Sequence, residues 1–467
     1  MSISQLNSFL NNLPKNSILN LSIDGLGKQE NNLYRLLDNS SNLKNIYKLN
    51  WTGNITDMLC MFGNCYNLTT VSNFDTSNVT DMYRMFYNCN NLIEVPNFDT
   101  SNVTRMSEMF QGCENLTTVP NFNTINVKYM NSMFTHSRDS YSISNIYMNI
   151  SSIPNFNTSN VISMRDMLSA TNITTIPNFN TINVISMDGM FSGCNKLINI
   201  PNLDTSNVTN MYEMFQGCNN LTTIPNFNTI NVISMADMFY NCYHLTTVPN
   251  FNTSNVISMR YMLSGCKNLT NIPNFNTNNV INMSYMVRQC YTITTIPNFN
   301  TSNVTDMSSM FFRCSNLTIV PNLNTSKVTN MEYIFYDCYS LTTVPNFDTS
   351  NVISMSHMLS YCSNLTTIPK FNTNNVTNVA NMFYQCSNLS QSSVNNIVSM
   401  YANATKVTNK DWVNAGFNLT YNNNQFNTWI RIAKDYSNAV KNGWTNLGAP
   451  ITASKTYNIY TGANYFA

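Results

Sequence analysis

Twelve cysteines, Cys65, Cys89, Cys113, Cys194, Cys218, Cys242, Cys266, Cys290, Cys314, Cys338, Cys362 and Cys386, hold one place in a recurring phrase, and only Cys60 stands outside it. Thiolates ligate zinc, pair as disulfides or attack as nucleophiles, so their spacing decides which chemistry is open to them. Structural zinc draws on C-x-x-C pairs or Cys/His clusters, and the chain has neither. One thiol per repeat is the arrangement of a column of small buried hydrophobes. His136, His244 and His357 fall in different repeats with no nucleophile at a fixed distance. Walker loops, G-x-S-x-G, H-E-x-x-H and dinucleotide glycines are all missing. Asp75, Asp99, Asp204 and Asp348 share their position with Asn in other repeats, unlike the regular Asp of a calcium-binding β-roll. The sequence therefore predicts no enzyme, no cofactor and no metal.

The residues suited to recognition are aromatic. Two places after the first methionine of the phrase the series runs Arg84, Glu108, Ser132, Asp166, Gly189, Glu213, Asp237, Tyr261, Tyr285, Ser309, Tyr333, His357. It shifts from acidic to aromatic partway along. Positions flanking the cysteines add Tyr240, Tyr243, Tyr291, Phe312, Tyr336, Tyr339 and Tyr384 to the later repeats. Tyrosine offers a large rigid area and one hydrogen-bonding tip. The candidate ligand-binding set is thus Tyr240, Tyr243, Tyr261, Tyr285, Tyr291, Phe312, Tyr333, Tyr336, Tyr339, His357 and Tyr384. The competing reading is that these rings plate the flank and fill gaps between coils. The uniform pairs Thr222-Thr223 and Thr246-Thr247 form a second candidate face, suited to a repetitive ligand or to none.

What positions these residues is the phrase itself, V-x-x-M-x-x-M-F-x-x-C-x-x-L-x-x-(I/V)-P-N-F-(N/D)-T-S-N. Its closing Phe or Leu falls at Phe74, Phe98, Phe122, Phe156, Phe179, Leu203, Phe227, Phe251, Phe275, Phe299, Leu323, Phe347 and Phe371, almost always 24 residues apart. A period of that length means a solenoid whose coils bury their apolar positions only by stacking. Residues 137–150 read as an extra loop or bulged coil. The next interval is one residue short, with Ala170 where a cysteine is expected. Val79, Met82, Met85, Phe86, Cys89 and Leu92 are spaced by three or four, predicting a short helix or helical turn. Leu92 to Val95 predicts a short strand, ended by Pro96, and Asp99 to Asn102 a turn. Strands about 4.8 Å apart would make some fourteen coils about 65 Å long. The Asn before each valine forms a further column, with stacked amides bonded to backbone and to each other as buried polar groups require. Lys327, its one replacement, is expected to mark a local irregularity.

The phrase resembles the BspA-like leucine-rich repeat, closest to its methionine-phenylalanine variant, as in Met85-Phe86-Tyr87-Asn88-Cys89-Asn90-Asn91-Leu92-Ile93-Glu94-Val95-Pro96. The resemblance runs from about residue 55 to 389. It implies an α/β repeat solenoid of 24-residue coils with a stacked parallel sheet and short helical turns, capped at both ends. It implies no single function, because one scaffold serves many binding tasks.

Terminal coils need caps. Residues 1–50 read as an N-terminal cap, with a helix at 4–12, a strand at 17–23 and a degenerate coil at 36–58 built on Leu36, Leu37, Leu43, Ile46, Leu49 and Ile55. Residues 51–390 are the solenoid. Residues 391–450 read as a helical C-terminal cap, with helices at 392–404 and 425–441 and with Trp412, Trp429 and Trp444 either in its core or at a partner interface. Residues 451–467 are a tail. The closure ending Asn442-Gly443-Trp444 resembles those of surface repeat proteins of Firmicutes and their phages.

A net charge of +1 and a charged fraction of 10% exclude nucleic acid as the main partner, since phosphate binding needs a dense basic field. No stretch of eighteen apolar residues exists to span a bilayer, and the N-terminus lacks the basic and apolar regions of a signal peptide. The sequence therefore predicts a non-catalytic extracellular recognition or adhesion protein binding a cell-surface glycan or protein. The missing export signal tilts its location toward a phage virion, as a tail or fibre-associated receptor-binding component. A bacterial cell-surface adhesin and a structural spacer are the alternatives, and the C-terminal region is open to other virion or surface proteins.

Overall fold

The computed structural model describes residues 9, 12–23, 33–51, 54–136 and 147–407. Two units are distinguished, Met1–Val232 and Ile233–Ala467, and each is a stack of leucine-rich-repeat-like coils. The first opens on a parallel sheet ordered β1 (Ser17–Ile23), β2 (Leu43–Trp51) and β3 (Thr70–Val71). Leu36, Leu37, Leu43, Ile46, Leu49 and Ile55, the apolar set of the degenerate coil, are buried.

Residues 79–102 show how one coil is made. Val79 points inward, Thr80 donates its amide to Thr56 O and accepts that of Thr104, each at 2.8 Å. Asp81 bridges Asp57 and Arg105 in parallel fashion. The 3–4 spacing that predicts a helical turn is then met by a ladder of β-turns. Met85 N bonds Met82 O, Tyr87 N bonds Arg84 O, Cys89 N bonds Phe86 O and Leu92 N bonds Cys89 O. Arg84 and Asn88 have φ of +54° and +57°, as the third residue of a type II turn requires. A right-handed helix cannot contain such residues. Closure at i+3 nonetheless returns the chain to the same side every three or four residues, so the apolar spacing is that of a helix. The alternate amides of Met82, Arg84, Phe86 and Asn88 donate to Arg105, Ser107, Met109 and Gln111 of the following coil at 2.7–3.1 Å. From Met82 to Cys89 each backbone donor thus has a partner either within its coil or in the next.

Beyond the turns the expected strand is short or missing. Besides β3, the Leu-to-Val segment yields only the isolated bridge Thr343↔Thr367 among the described residues, the bridge Met148↔Thr171 falling two residues before it. Elsewhere single bonds such as Ile93 N to Thr69 O at 3.0 Å join the coils. The reason lies in spacing: Leu92 and Val95 both face inward, and a separation of three cannot put two residues on one face of a period-two strand.

The core is a set of columns. Val79, Met82, Met85, Phe86, Cys89 and Leu92 are wholly buried. Phe62, Phe86, Phe110 and Phe134 stack in sequence at 5.0–5.7 Å, and Phe311 and Phe335 do so at 5.4 Å in the second unit. The cysteines do more than fill space. Cys89 Sγ donates to Phe62 O and Cys113 Sγ to Phe86 O, each at 3.0 Å. In the second unit Cys290 and Cys314 reach Leu263 O and Val287 O likewise. Every described cysteine is a free thiol.

Three details correct the sequence reading. The residue in the cysteine column of the short coil is Thr171, not Ala170: it is fully buried, donates to Leu168 O at 2.8 Å and lies 3.3 Å from Cys194 Sγ. Ala170 takes the left-handed position, φ +55°, so the missing residue falls after Thr171. The Asn column lies at the surface rather than buried, most of its amides donating to a carbonyl of the preceding coil, as Asn102 Nδ2 does to Ser77 O at 2.7 Å, while that of Asn78 donates to Ser77 Oγ. The buried partner of that corner is the threonine, whose hydroxyl bonds the following coil, as Thr100 does Asn123 O. Lys327 marks no irregularity, because its Nζ donates to Asn303 Oδ1 at 2.7 Å and Asn351 resumes the column on Ser326 O.

Helix α1 (Gln391–Asn403) closes the described part of the second unit. Ile397 and Met400 are buried. Ser393 Oγ donates to Thr366 O and accepts Ile368 N, and Asn396 Nδ2 donates to Ile368 O, satisfying backbone groups the last coil would leave unpaired. The expectations for most of the 4–12 helix, for 425–441, for the three C-terminal tryptophans, for 451–467 and for most of the 137–150 insertion fall outside the described residues.

Candidate functional site

All eleven aromatic candidates lie in the second unit, and its turn ladder sets where they point. Tyr261, Tyr285, Tyr333 and His357 occupy the first left-handed column, with φ of +53°, +59°, +56° and +55°. The second left-handed column holds Tyr361 at φ +63°, a residue the sequence reading left out. Its cue was the glycine or asparagine that often precedes the cysteine, as in Gly265-Cys266 and Asn241-Cys242, which marks that place as left-handed.

The rings gather into two groups. In one, Tyr240 packs edge-on to Tyr261 at 5.6 Å and Tyr261 stacks on Tyr285 at 4.3 Å. In the other, Phe312 stacks on Tyr336 at 4.8 Å, Tyr333 on His357 at 4.5 Å, and Tyr361 meets Tyr336 and Tyr384 edge-on at 5.3 and 5.2 Å. Tyr243, Tyr291 and Tyr339 join neither group among the described residues, and of the eleven only Tyr339 is largely exposed, at 45%. Where parallel rings stack, the ring faces cover one another, leaving edges and hydroxyls toward solvent.

Burial, then the neighbouring Tyr285, raises the Tyr261 phenol, and burial, then Glu332, raises that of Tyr333. Burial lowers the His357 imidazole, whose Nδ1 lies 3.3 Å from Ser360 Oγ and whose Nε2 lies 3.4 Å from the Asn381 amide nitrogen. A neutral ring accepting that amide proton fits both facts.

The same wall of the first unit has a different chemistry. Arg84 pairs with Glu108 at 2.6 Å, Arg105 with Asp81 at 3.7 Å, and Arg165 with Asp188 and Asp166 at 2.9 and 3.4 Å. His136 Nε2 lies 3.3 Å from Glu114. The first unit also carries an open groove of about 700 Å³ at the corner turns, lined by Asn73, Asp75, Asn97, Phe98, Asp99 and Asn121. Hydrogen bonds from Ser77 and Ser101 hold the carboxyls of Asp75 and Asp99 below their ordinary value. Among the described residues no three His, Cys, Asp or Glu groups could hold a metal ion together, and no helix is long and apolar enough to cross a membrane.

This pattern of repeats carries the match to a family. The model described as "Mycoplasma protein of unknown function, DUF285" matches residues 31–146, 138–248, 241–341 and 316–442. The chain belongs to that family. No curated protein matches it. Among solved structures it is similar to a leucine-rich repeat protein from Bacteroides ovatus, at 16% identity and a TM-score of 0.39 over 74% of this chain and 81% of the other. It is similar also to a leucine rich cell surface protein from Faecalibacterium prausnitzii, at 16% identity and 0.34 over 80% and 88%. A third is a leucine-rich repeat protein from Eubacterium ventriosum, at 15% and 0.34 over 79% and 89%. At such identities and scores these likenesses carry no function across.

Proposed function

We propose that the protein is a non-catalytic recognition module displayed outside a cell, and that its partner-facing surface is the aromatic wall of the second unit. The observation that carries this reading is the change of chemistry along one backbone column. The left-handed positions accept Arg84, Glu108, Ser132, Asp166 and Gly189 in the first unit, so nothing in the backbone calls for an aromatic ring. Tyr261, Tyr285, Tyr333 and His357 bear there the same left-handed cost as any other L-residue, and they line up beside Phe312, Tyr336, Tyr361 and Tyr384. A wall of tyrosine edges and hydroxyls suits a partner rich in hydrogen-bonding groups, a glycan or a polar protein surface.

The family description names a cellular organism, which favours display on a bacterial surface over the virion placement. Cell fractionation tests that choice: recovery with the envelope supports it, recovery in phage particles removes it. The mutual stacking of the rings favours a second reading, in which they serve only to plate the coils. One experiment separates the two. The triple variant Tyr261→Gly/Tyr285→Gly/Tyr333→Gly deletes the rings at positions where glycine is conformationally free, and its adherence to host cells is compared with that of the parent at matched circular dichroism. Loss of adherence supports the recognition wall; undiminished adherence with the fold intact leaves only the plating role.

A further inference from the structure

The aromatic wall of the second unit carries cations that the sequence reading did not single out. Between Asp237 and Asp306 the chain holds Arg260, Lys267 and Arg288 and not one Asp or Glu. Among the described residues none of the three has a carboxylate partner. Each lies instead over an aromatic ring: the Arg260 guanidinium 4.7 Å from the centre of Tyr261, Lys267 Nζ 4.1 Å from that of Tyr243, and the Arg288 guanidinium 5.1 Å from that of Phe312. Arg288 also donates to Gln289 Oε1 at 2.9 Å. Arg260 is exposed, and Lys267 and Arg288 are half-buried. The first unit's cations on the equivalent wall are neutralised by Glu108, Asp81, Asp166 and Asp188, so the missing carboxylates are a local feature and not a rule of the repeat.

A cation held over a ring is fixed in direction while its outer side stays open to an anion. Arg260 and Lys267 stand in one coil and Arg288 in the next, at three different places of the phrase, so positive groups occur in two successive coils along the stacking axis. The same two coils carry Tyr261 and Tyr285, whose rings are 4.3 Å apart, and uncharged polar side chains. Separate single charges interspersed with hydrogen-bonding groups match a linear chain of sugars carrying acidic groups at intervals. An acidic peptide would call for apolar anchors, and the stacked rings have closed their faces to them.

We propose that this surface binds an acidic polysaccharide, with Arg260, Lys267 and Arg288 meeting its sulfates or carboxylates and the tyrosine hydroxyls its sugar hydroxyls. This rests on the aromatic wall being the recognition surface.

The test uses the full chain with heparin (sulfate and carboxylate), hyaluronate (carboxylate alone), dextran (neutral) and single-stranded oligo-dT (phosphate) as probes. Two variants accompany it, Arg260→Gln/Lys267→Gln/Arg288→Gln and Tyr261→Gly/Tyr285→Gly. The expected result is binding of heparin or hyaluronate, dextran remaining unbound, with affinity falling as salt rises because each contact displaces a counterion. The glutamine variant should bind about tenfold more weakly or worse, three exposed charge contacts being modest singly, and the glycine variant should also bind more weakly. Heparin binding that survives both the glutamine substitutions and high salt overturns the proposal, as does oligo-dT bound as tightly as the polysaccharides. Adherence to cells that needs Tyr261 and Tyr285 but ignores the three cations also overturns it, while leaving the recognition wall standing. Adherence indifferent to both variants removes both. If the glutamine variant does not fold, the salt dependence of the parent chain decides: heparin binding unmoved by salt overturns the proposal, and binding lost with salt supports it.

Discussion

Ser309 offers a direct test of the turn ladder. It sits in the first left-handed column with φ +52°, between Tyr285 and Tyr333, is 4% exposed, and its amide donates to Glu332 O at 2.8 Å. Replacing it by Gly and, separately, by Ala compares two small residues in one environment. A left-handed conformation costs an L-residue about 1–2 kcal/mol, while glycine gives up about 0.5–1 kcal/mol through its freer unfolded chain. Ser309→Gly should therefore exceed Ser309→Ala in stability by about 0.5–1 kcal/mol, the difference of those two figures. For a unit of this size that is a gap of about 1–4 °C in melting temperature. A helical turn, which the apolar spacing predicts, demands the opposite order, since alanine surpasses glycine in a helix by about 0.5–1 kcal/mol. Thermal melts and urea titrations of both variants, with equal urea slopes to show a common unfolded state, give the sign. An alanine variant equal to or above the glycine variant refutes the argument.

Burial pushes the Cys65 and Cys314 thiols from an ordinary 9.0 up to about 12. The folded state therefore keeps protons that the unfolded chain releases, and the thiols' contribution to stability should be constant below pH 9 and be lost between pH 9 and about 12, by up to about 1.4 kcal/mol per pH unit per thiol. Urea midpoints across that range, with Cys314→Ala lessening the slope, check the sign. Ellman's reagent at pH 8 should leave the column thiols unlabelled in the native protein and titrate all 13 cysteines in urea. Phe335→Ala opens a cavity beside the Phe311 ring, 5.4 Å away, and should cost about 3–5 kcal/mol. Phe335→Leu should cost less than about 1.5 kcal/mol, because Leu263 and Leu359 fill the same column; melting curves of the pair decide.

The core could be read from the sequence because its signal is repetition. Val79, Met82, Met85, Phe86, Cys89 and Leu92 recur with few substitutes, and burial follows from sameness. Backbone handedness was harder to read. Arg84, Glu108 and Tyr261 disfavour positive φ, so the first left-handed column hides behind them, although Gly112, Gly193, Gly217 and Gly265 before the cysteines point to the second. The strand was over-read because β-branched Thr-Thr and Ile suggest extended chain, while the three-residue step between inward groups forbids a long strand. Of the candidate site, which rings share a column was visible in the 24-residue step. Which faces they cover was not, since that depends on rotamers set by the next coil. The unpaired cations had a sequence signal, the run without Asp or Glu after Asp237, which becomes meaningful only once the ion pairs of the first unit are seen.

A turn ladder also explains how one scaffold can carry two unlike walls. In a helix, surface residues influence stability through propensity and through pairs along the same element. Here the backbone bonds of residues such as Arg84 and Tyr285 run to the adjoining coils, to Ser107 O and Ser308 O at 3.1 and 2.9 Å, whatever side chain they bear. Every L-residue in that column bears a similar left-handed cost, so exchanging Glu for Tyr is nearly neutral for the backbone and is decided by neighbours one coil away. Opposite charges in successive coils give the ladder of Arg84 and Glu108; rings in successive coils give the stack of Tyr261 and Tyr285. Core columns and surface columns thereby vary independently, and a change of partner chemistry needs substitutions only at the left-handed positions and those beside them.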